Sequence, residues 1–170
     1  MTYRVRLEKE HHVFSAAHFI TFNRDVCERL HGHNYRVAVE VEGPLDENQY
    51  VIDFIALRDE LKNLTDELDH RVLLPTGHPL IQVTADDREV TAVFTPDGRR
   101  WIFPRGDCLL LPISNTTAEL LAQYLAKRLF TAIESRTGVK PHRLTVAVDE
   151  NHGQWGICEL PAPAAPPAAR

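Results

Sequence analysis

His31 and His33 stand two residues apart at the start of a segment whose odd positions are His31, His33, Tyr35, Val37, Val39 and Val41. Arg36, Glu40 and Glu42 occupy even positions. Alternate residues of a strand share a face, with Cα atoms about 6.5–7 Å apart, so both imidazoles project from the apolar side. Two unpartnered imidazoles buried there would be costly. At that separation they can converge on one cation, and zinc accepts imidazole nitrogen at about 2.0–2.1 Å. Gly32 between them keeps the opposite face uncrowded. A third ligand has to come from a neighbouring strand, and His18 is the candidate. Three histidines leave a tetrahedral ion one open position, the arrangement of catalytic and not of structural sites.

Three further features carry chemistry. Cys27 lies four residues before His31, in CysGluArgLeuHisGlyHis. A thiol close to a divalent cation ionises more readily and serves as base or nucleophile; away from one it is an ordinary buried cysteine. Asp69 and His70 are adjacent, and a carboxylate beside an imidazole sets its tautomer and raises its basicity. Neighbours on a helix do not face each other, so this pairing needs a helix end; otherwise the two residues are a polar C-terminus. Glu150 shares an alternating face with Val146 and Val148. A carboxylate there needs a donor, either solvent or the two N–H groups of a guanidine-like heterocycle edge met in bidentate fashion.

These side chains have to be positioned by regular elements. YRVRLEK at 3–9 alternates and reads as a strand, VFSAAHF at 13–19 as a second, and 31–42 as a third. Asp53 is placed to cap a helix whose stripe is Leu57, Leu61, Leu64 and Leu68. That helix should end near Asp69 and His70. Thr116 and Glu119 have capping-box spacing before a second helix with the stripe Leu121, Leu125, Leu129 and Ile133. Gly138 and Pro141 mark its end. RLTVAVDE at 143–150 and QWGICEL at 154–160 read as an antiparallel pair. Between the helices, EVTAVF and RRWIF flank a Thr95-Pro96-Asp97-Gly98 turn. Strands, helix, hairpin, helix, strands is an α+β order.

The 170 residues suit one domain, over 1–160, and the Pro- and Ala-rich stretch 161–170 reads as a flexible tail. A formal charge of -5 disfavours nucleic acid and anionic membranes as partners. The cysteines Cys27, Cys108 and Cys158 are odd in number and unspaced for a disulfide framework, which fits a reducing cytoplasm. The N-terminus shows no secretory signal, and no apolar run nears the ~18 residues of a membrane span.

Taken together, PheSerAlaAlaHis at 14–18, CysGluArgLeuHisGlyHisAsnTyr at 27–35, ValIleAspPhe at 51–54, LeuAspHis at 68–70, ThrThrAlaGluLeuLeuAla at 116–122 and Glu150 resemble the 6-pyruvoyl-tetrahydropterin and 6-carboxy-tetrahydropterin synthases. The resemblance implies the tunnelling fold, a four-stranded antiparallel sheet with two helices on one side. It implies a homo-hexamer, a dimer of trimers, with the pterin site between subunits. It implies a zinc cofactor on His18, His31 and His33, Cys27 as the proton-abstracting base, and Asp69 and His70 as the relay. Glu150 would anchor the pterin, with help from Thr116 and Thr117. The implied substrate is 7,8-dihydroneopterin triphosphate, and the three-residue gap between Cys27 and His31 favours the 6-carboxy product over the 6-pyruvoyl one. A zinc hydrolase and a non-catalytic pterin or purine binder are the other readings.

The chain departs from the family pattern at 75–112, where the extra hairpin intervenes. It is either a surface extension or oligomer contact, or a wall of the pocket. Its Arg99, Arg100 and Arg105 could meet phosphates, or simply face solvent.

Overall fold

The protein is described by a computed structural model, which covers residues 1–23 and 25–161. In chain order the elements are β1 (Tyr3–His18), β2 (Thr21–Phe22), β3 (Val26–Cys27), β4 (His31–Gly43), α1 (Phe54–Leu68), β5 (Arg71–Pro75), β6 (Ile81–Ala85), β7 (Glu89–Phe94), β8 (Arg99–Pro104), β9 (Cys108–Leu111), α2 (Ala118–Thr137), β10 (Arg143–Asp149) and β11 (Trp155–Pro161). Of the expected tail at 161–170, Pro161 is instead the last residue of β11, and 162–170 lie outside the described residues.

The two helical stripes are where periodicity places them. Leu57, Leu61, Leu64 and Leu68 of α1 are buried, as are Leu121, Leu125, Leu129 and Ile133 of α2. Asp53 caps α1 by accepting from the Ile55 amide at 2.8 Å. Gly138 ends α2 with φ of 74°, a left-handed conformation that favours glycine. The cap of α2 is Thr117, one residue later than the sequence suggests, and it accepts from the Leu120 amide. The reason is that Thr116 is engaged at the end of β1 and just beyond it: its carbonyl accepts from His18 Nδ1, and its hydroxyl donates to the Phe19 carbonyl at 3.0 Å. No capping box forms with Glu119.

Both helices pack on one face of the sheet, closing a core that includes Phe14, Tyr35, Val37, Val39, Val41, Leu144, Val146 and Val148. The sheet has the order β11-β10-β4-β1-β5-β9. The four expected antiparallel strands are its first four members. Beyond the four expected strands, β5 and β9 extend the sheet by parallel pairing. Leu73, Leu74 and Leu111 of these strands are fully buried, so the extension covers the β1 edge and enlarges the core. The stretches 3–9 and 13–19, read as separate strands, are one strand. A register shift between Glu8 and Val13 lets it pair with β4 on both sides of the irregularity.

The insertion is larger than a hairpin. β6 joins β7 and β8 in a three-stranded antiparallel sheet. It closes a second apolar cluster of Phe19, Cys27, Leu74, Ile81, Val90, Ala92, Phe94 and Cys108. No helix of the described residues is long and apolar enough to cross a membrane.

Candidate metal centre and active site

Register brings the histidines together. In the β1–β4 ladder His18 lies directly opposite His31, and Ala16 opposite His33. One candidate ligand atom from each of His18, His31 and His33 falls within 4.8 Å of the others. Ring centroids are 4.7 Å apart for His18 and His31, 5.4 Å for His18 and His33, and 4.9 Å for His31 and His33.

The surroundings set two of the three tautomers. His18 Nδ1 donates to the Thr116 carbonyl at 2.9 Å, and His31 Nδ1 donates to the Arg29 carbonyl at 2.8 Å. Nε2 is thereby the ring nitrogen that each presents as a lone-pair donor, the arrangement a metal ligand needs. His18 is fully buried. Burial, with the neighbouring His31 and His33, pushes its pKa down to about 4 against the pull of the Thr116 carbonyl. Three converging imidazoles, His18 fully buried and His31 and His33 partly exposed, fit a zinc ion by donor chemistry.

Glu150 follows the last residue of β10 and turns its carboxylate onto the trio. Its Oε1 lies 3.3 Å from His18 Nε2 and 3.9 Å from His33 Nε2. Burial pushes its pKa up, and His33 and His31 oppose this. The buried Tyr35 hydroxyl is 3.0 Å from His18 Nε2. Burial and then the Glu150 carboxylate raise its pKa, so it stays a neutral donor. Glu150 also borders two grooves. One, of about 560 Å³, includes Ser15, His33, Asn34 and Arg36; the other, of about 360 Å³, includes Thr117, Glu119 and Trp155. Thr116 is fully buried and supports His18, whereas Thr117 faces the second groove.

Asp69 and His70 do meet, at the helix end where α1 hands over to β5. His70 Nδ1 is 2.8 Å from Asp69 Oδ2. β1 builds the pair: the Ser15 amide donates to Asp69 Oδ1 at 2.7 Å, and the His70 amide donates to the Ser15 carbonyl at 2.7 Å. The Ser15 amide is the main reason that the Asp69 carboxyl sits below the usual range, with His70 adding to it. His70 has φ of 56°, which costs strain for a residue other than glycine. Its side chain is 83% exposed and borders a groove of about 460 Å³ with His33, Asn34 and Arg71.

Cys27 is placed differently. It is 6% exposed, inside the second apolar cluster, and burial raises its pKa. The Asp69–His70 pair and the thiol therefore occupy different surroundings within one chain. A residue not expected at the site reaches toward an imidazole: Glu28 Oε2 is 3.7 Å from His31 Nε2, and its side chain is about one-third exposed. The signal was available, because Glu28 lies i, i+3 from His31 within the same motif. Arg99 is tied to Asp97 and to the Cys27 carbonyl, and Arg105 donates to the Cys108 carbonyl.

The family model of 6-pyruvoyl tetrahydropterin synthase matches residues 6–160. A Methanocaldococcus jannaschii protein named putative 6-carboxy-5,6,7,8-tetrahydropterin synthase is 34% identical over 146 residues, 85% of this chain and 87% of that one. The structure of Plasmodium falciparum 6-pyruvoyl tetrahydropterin synthase matches with a TM-score of 0.86 at 29% identity, over 94% of this chain and 98% of that one. A Plasmodium vivax 6-pyruvoyltetrahydropterin synthase, a mutant in which a catalytic glutamate is replaced by alanine, matches with a TM-score of 0.86 at 25% identity. It is covered over 99% of its length by 95% of this chain.

Proposed function

Because the chain belongs to the 6-pyruvoyl tetrahydropterin synthase family, we propose that it is a zinc-dependent lyase converting 7,8-dihydroneopterin triphosphate to 6-carboxy-5,6,7,8-tetrahydropterin. The observation that carries this reading is the convergence of His18, His31 and His33 with Glu150 beside them. A zinc ion bound there supplies a Lewis acid for the oxygens of the substrate side chain. The protein's own groups divide the rest. Cys27 takes a proton from the side chain, and His70, oriented by Asp69, moves one on the opposite face. Glu150, with Thr117 in the groove beside it, anchors the pterin ring, and the buried Thr116, expected to help there, instead holds His18. Loss of triphosphate and cleavage of the side chain, with one water consumed to supply the second carboxylate oxygen, then release acetaldehyde. The M. jannaschii name and the short gap between Cys27 and His31 favour this product over 6-pyruvoyl-tetrahydropterin.

The reading includes partners and place. The exposed His70 beside the His33 groove suits a relay completed across an interface, so we propose further copies of this chain, in a dimer of trimers, as its partners. Nucleic acid and membrane have no part in it, and the cytoplasm is the proposed location.

One observation favours a second reading of the base. Glu28 reaches toward His31 while Cys27 is buried, and the P. vivax enzyme has a glutamate as a catalytic residue. In this version Glu28 accepts the proton in place of the thiol.

Zinc-loaded protein incubated with 7,8-dihydroneopterin triphosphate, with products read by mass, tests the function. A 6-carboxy pterin with acetaldehyde is expected, and chelation should abolish its formation until zinc returns. A 6-pyruvoyl product selects the other branch, and no consumption refutes the reading. Cys27→Ala and Glu28→Gln assign the base: the variant that loses turnover while retaining zinc identifies it. Full turnover in both points to a hydrolase.

A further inference from the structure

The inserted sheet of β6, β7 and β8 is fastened over the short segment that carries Cys27 and Glu28. That segment has little of its own to hold it. Among the described residues β2 and β3 pair through Thr21 with Cys27 and Phe22 with Val26, and a hairpin that short is not stable by itself; Asn115 Nδ2 holds its first strand by donating to the Thr21 carbonyl at 3.0 Å. Beyond it, the Glu28 amide donates to the Ile20 carbonyl at 2.9 Å. The insertion supplies what is missing. Arg99 Nη1 donates to the Cys27 carbonyl at 3.2 Å. Trp101 stacks on Phe19, the residue after His18, with centroids 4.3 Å apart and planes 16° from parallel.

Arg99 is itself held ready for this bond. Its amide donates to Asp97 Oδ1 at 2.9 Å, and its Nε and Nη2 donate to Asp97 Oδ2 at 3.0 and 2.7 Å. Its guanidinium carbon lies 5.6 Å from the ring centroids of both Phe94 and Trp101. A planar fork fixed at one end and on both rings loses little further freedom when it grips the carbonyl. The same ties turn it away from a role as a free phosphate clamp.

We propose that Arg99 is a positioning residue for the Cys27–Glu28 segment, which makes the inserted sheet a working part of the active site. The proposal rests on the reading above that this segment supplies the proton-transfer group. The geometry of such a group has to be held tightly for efficient transfer.

The test uses zinc-loaded Arg99→Ala and Arg99→Lys proteins. Iodoacetamide labelling of Cys27, followed by peptide mass near neutral pH without substrate, reads how often the segment opens. In Arg99→Ala, labelling should accelerate about tenfold or more, and kcat should fall about tenfold with KM and zinc content unchanged. Arg99→Lys, which keeps one donor, should recover part of both effects. Asp97→Asn frees the guanidinium without removing it; it should give an intermediate labelling rate, and it decides the matter if Arg99→Ala does not fold. Labelling of Cys27 within twofold of wild type in these variants overturns the proposal. The labelling arm needs no pterin, so a wild type inert toward the substrate sinks the proposed function alone.

Discussion

Replacing Asp149 tests how the turn that carries Glu150 is held. This carboxylate is 1% exposed at the end of β10. Its Oδ1 accepts from the Gly153 and Gln154 amides at 2.8 and 2.9 Å. Its Oδ2 accepts from Arg36 Nε at 2.9 Å and also from Arg36 Nη2. Burial works against its ionisation, but Arg36 and the two amides outweigh that and hold its pKa below the usual range. Asp149→Ala strands both amides at about 1 kcal/mol each, the low end because water reaches this exposed turn. Loss of the Arg36 pair adds about 1–2 kcal/mol, discounted because the guanidinium is half exposed. The sum is about 3–4 kcal/mol. Asp149→Asn keeps an acceptor for the amides and should cost about 2 kcal/mol. Urea midpoints at pH 7 with unchanged m-values read both numbers. The folded carboxyl titrates below its unfolded value of about 3.9, so its stabilisation is complete above that pH and drains away as pH falls through the folded pKa. The gap between wild type and Asp149→Asn should therefore stay constant from pH 7 to about 5 and narrow below about 4. An alanine variant within about 0.5 kcal/mol of wild type, or a gap that does not narrow, refutes the reasoning.

Other outcomes follow from the same contacts. His18 titrates at about 4 when folded and near 6.5 unfolded, so metal-free protein should lose up to about 3 kcal/mol as pH falls from 6.5 to 4. Urea midpoints of the metal-free wild type should fall over that window, while those of His18→Gln should be flatter. A Cβ on Gly156 would lie 2.4 Å from the Ala118 carbonyl carbon and the Glu119 amide nitrogen, both backbone. Gly156→Val should thus lift the start of α2 at about 3 kcal/mol, and a melting temperature equal to wild type would contradict it. Leu129→Ala, in the fully buried stripe of α2, should cost about 2–5 kcal/mol. Zinc stoichiometry should not change, because the stripe faces the core and not the trio.

Much of the site was legible before any fold was known. Alternation placed His31 and His33 on one face because the side-chain period of a strand is two, whatever the strand pairs with. The leucine stripes and the Asp53 cap were equally local, since a helix reports its buried face within a few turns. The adjacency of Asp69 and His70 was visible too, although only the amide of Ser15 on β1 explains why the pair is locked. What the tertiary structure decided is whatever depends on register or on distant chain. His18 faces His31 because β1 shifts register between Glu8 and Val13; a one-residue slip would send its imidazole to the other side of the sheet. Thr116 gave up the cap of α2 because His18 of β1 claims its carbonyl and Phe19, the next residue, its hydroxyl. β5 and β9 became sheet strands because the β1 edge needed partners, and no local pattern announces a parallel neighbour. Arg99 reaches Cys27 across 72 positions of sequence. Periodicity is a short-range property of the chain, whereas register, edge pairing and such cross-chain grips are selected by the total burial of the folded state.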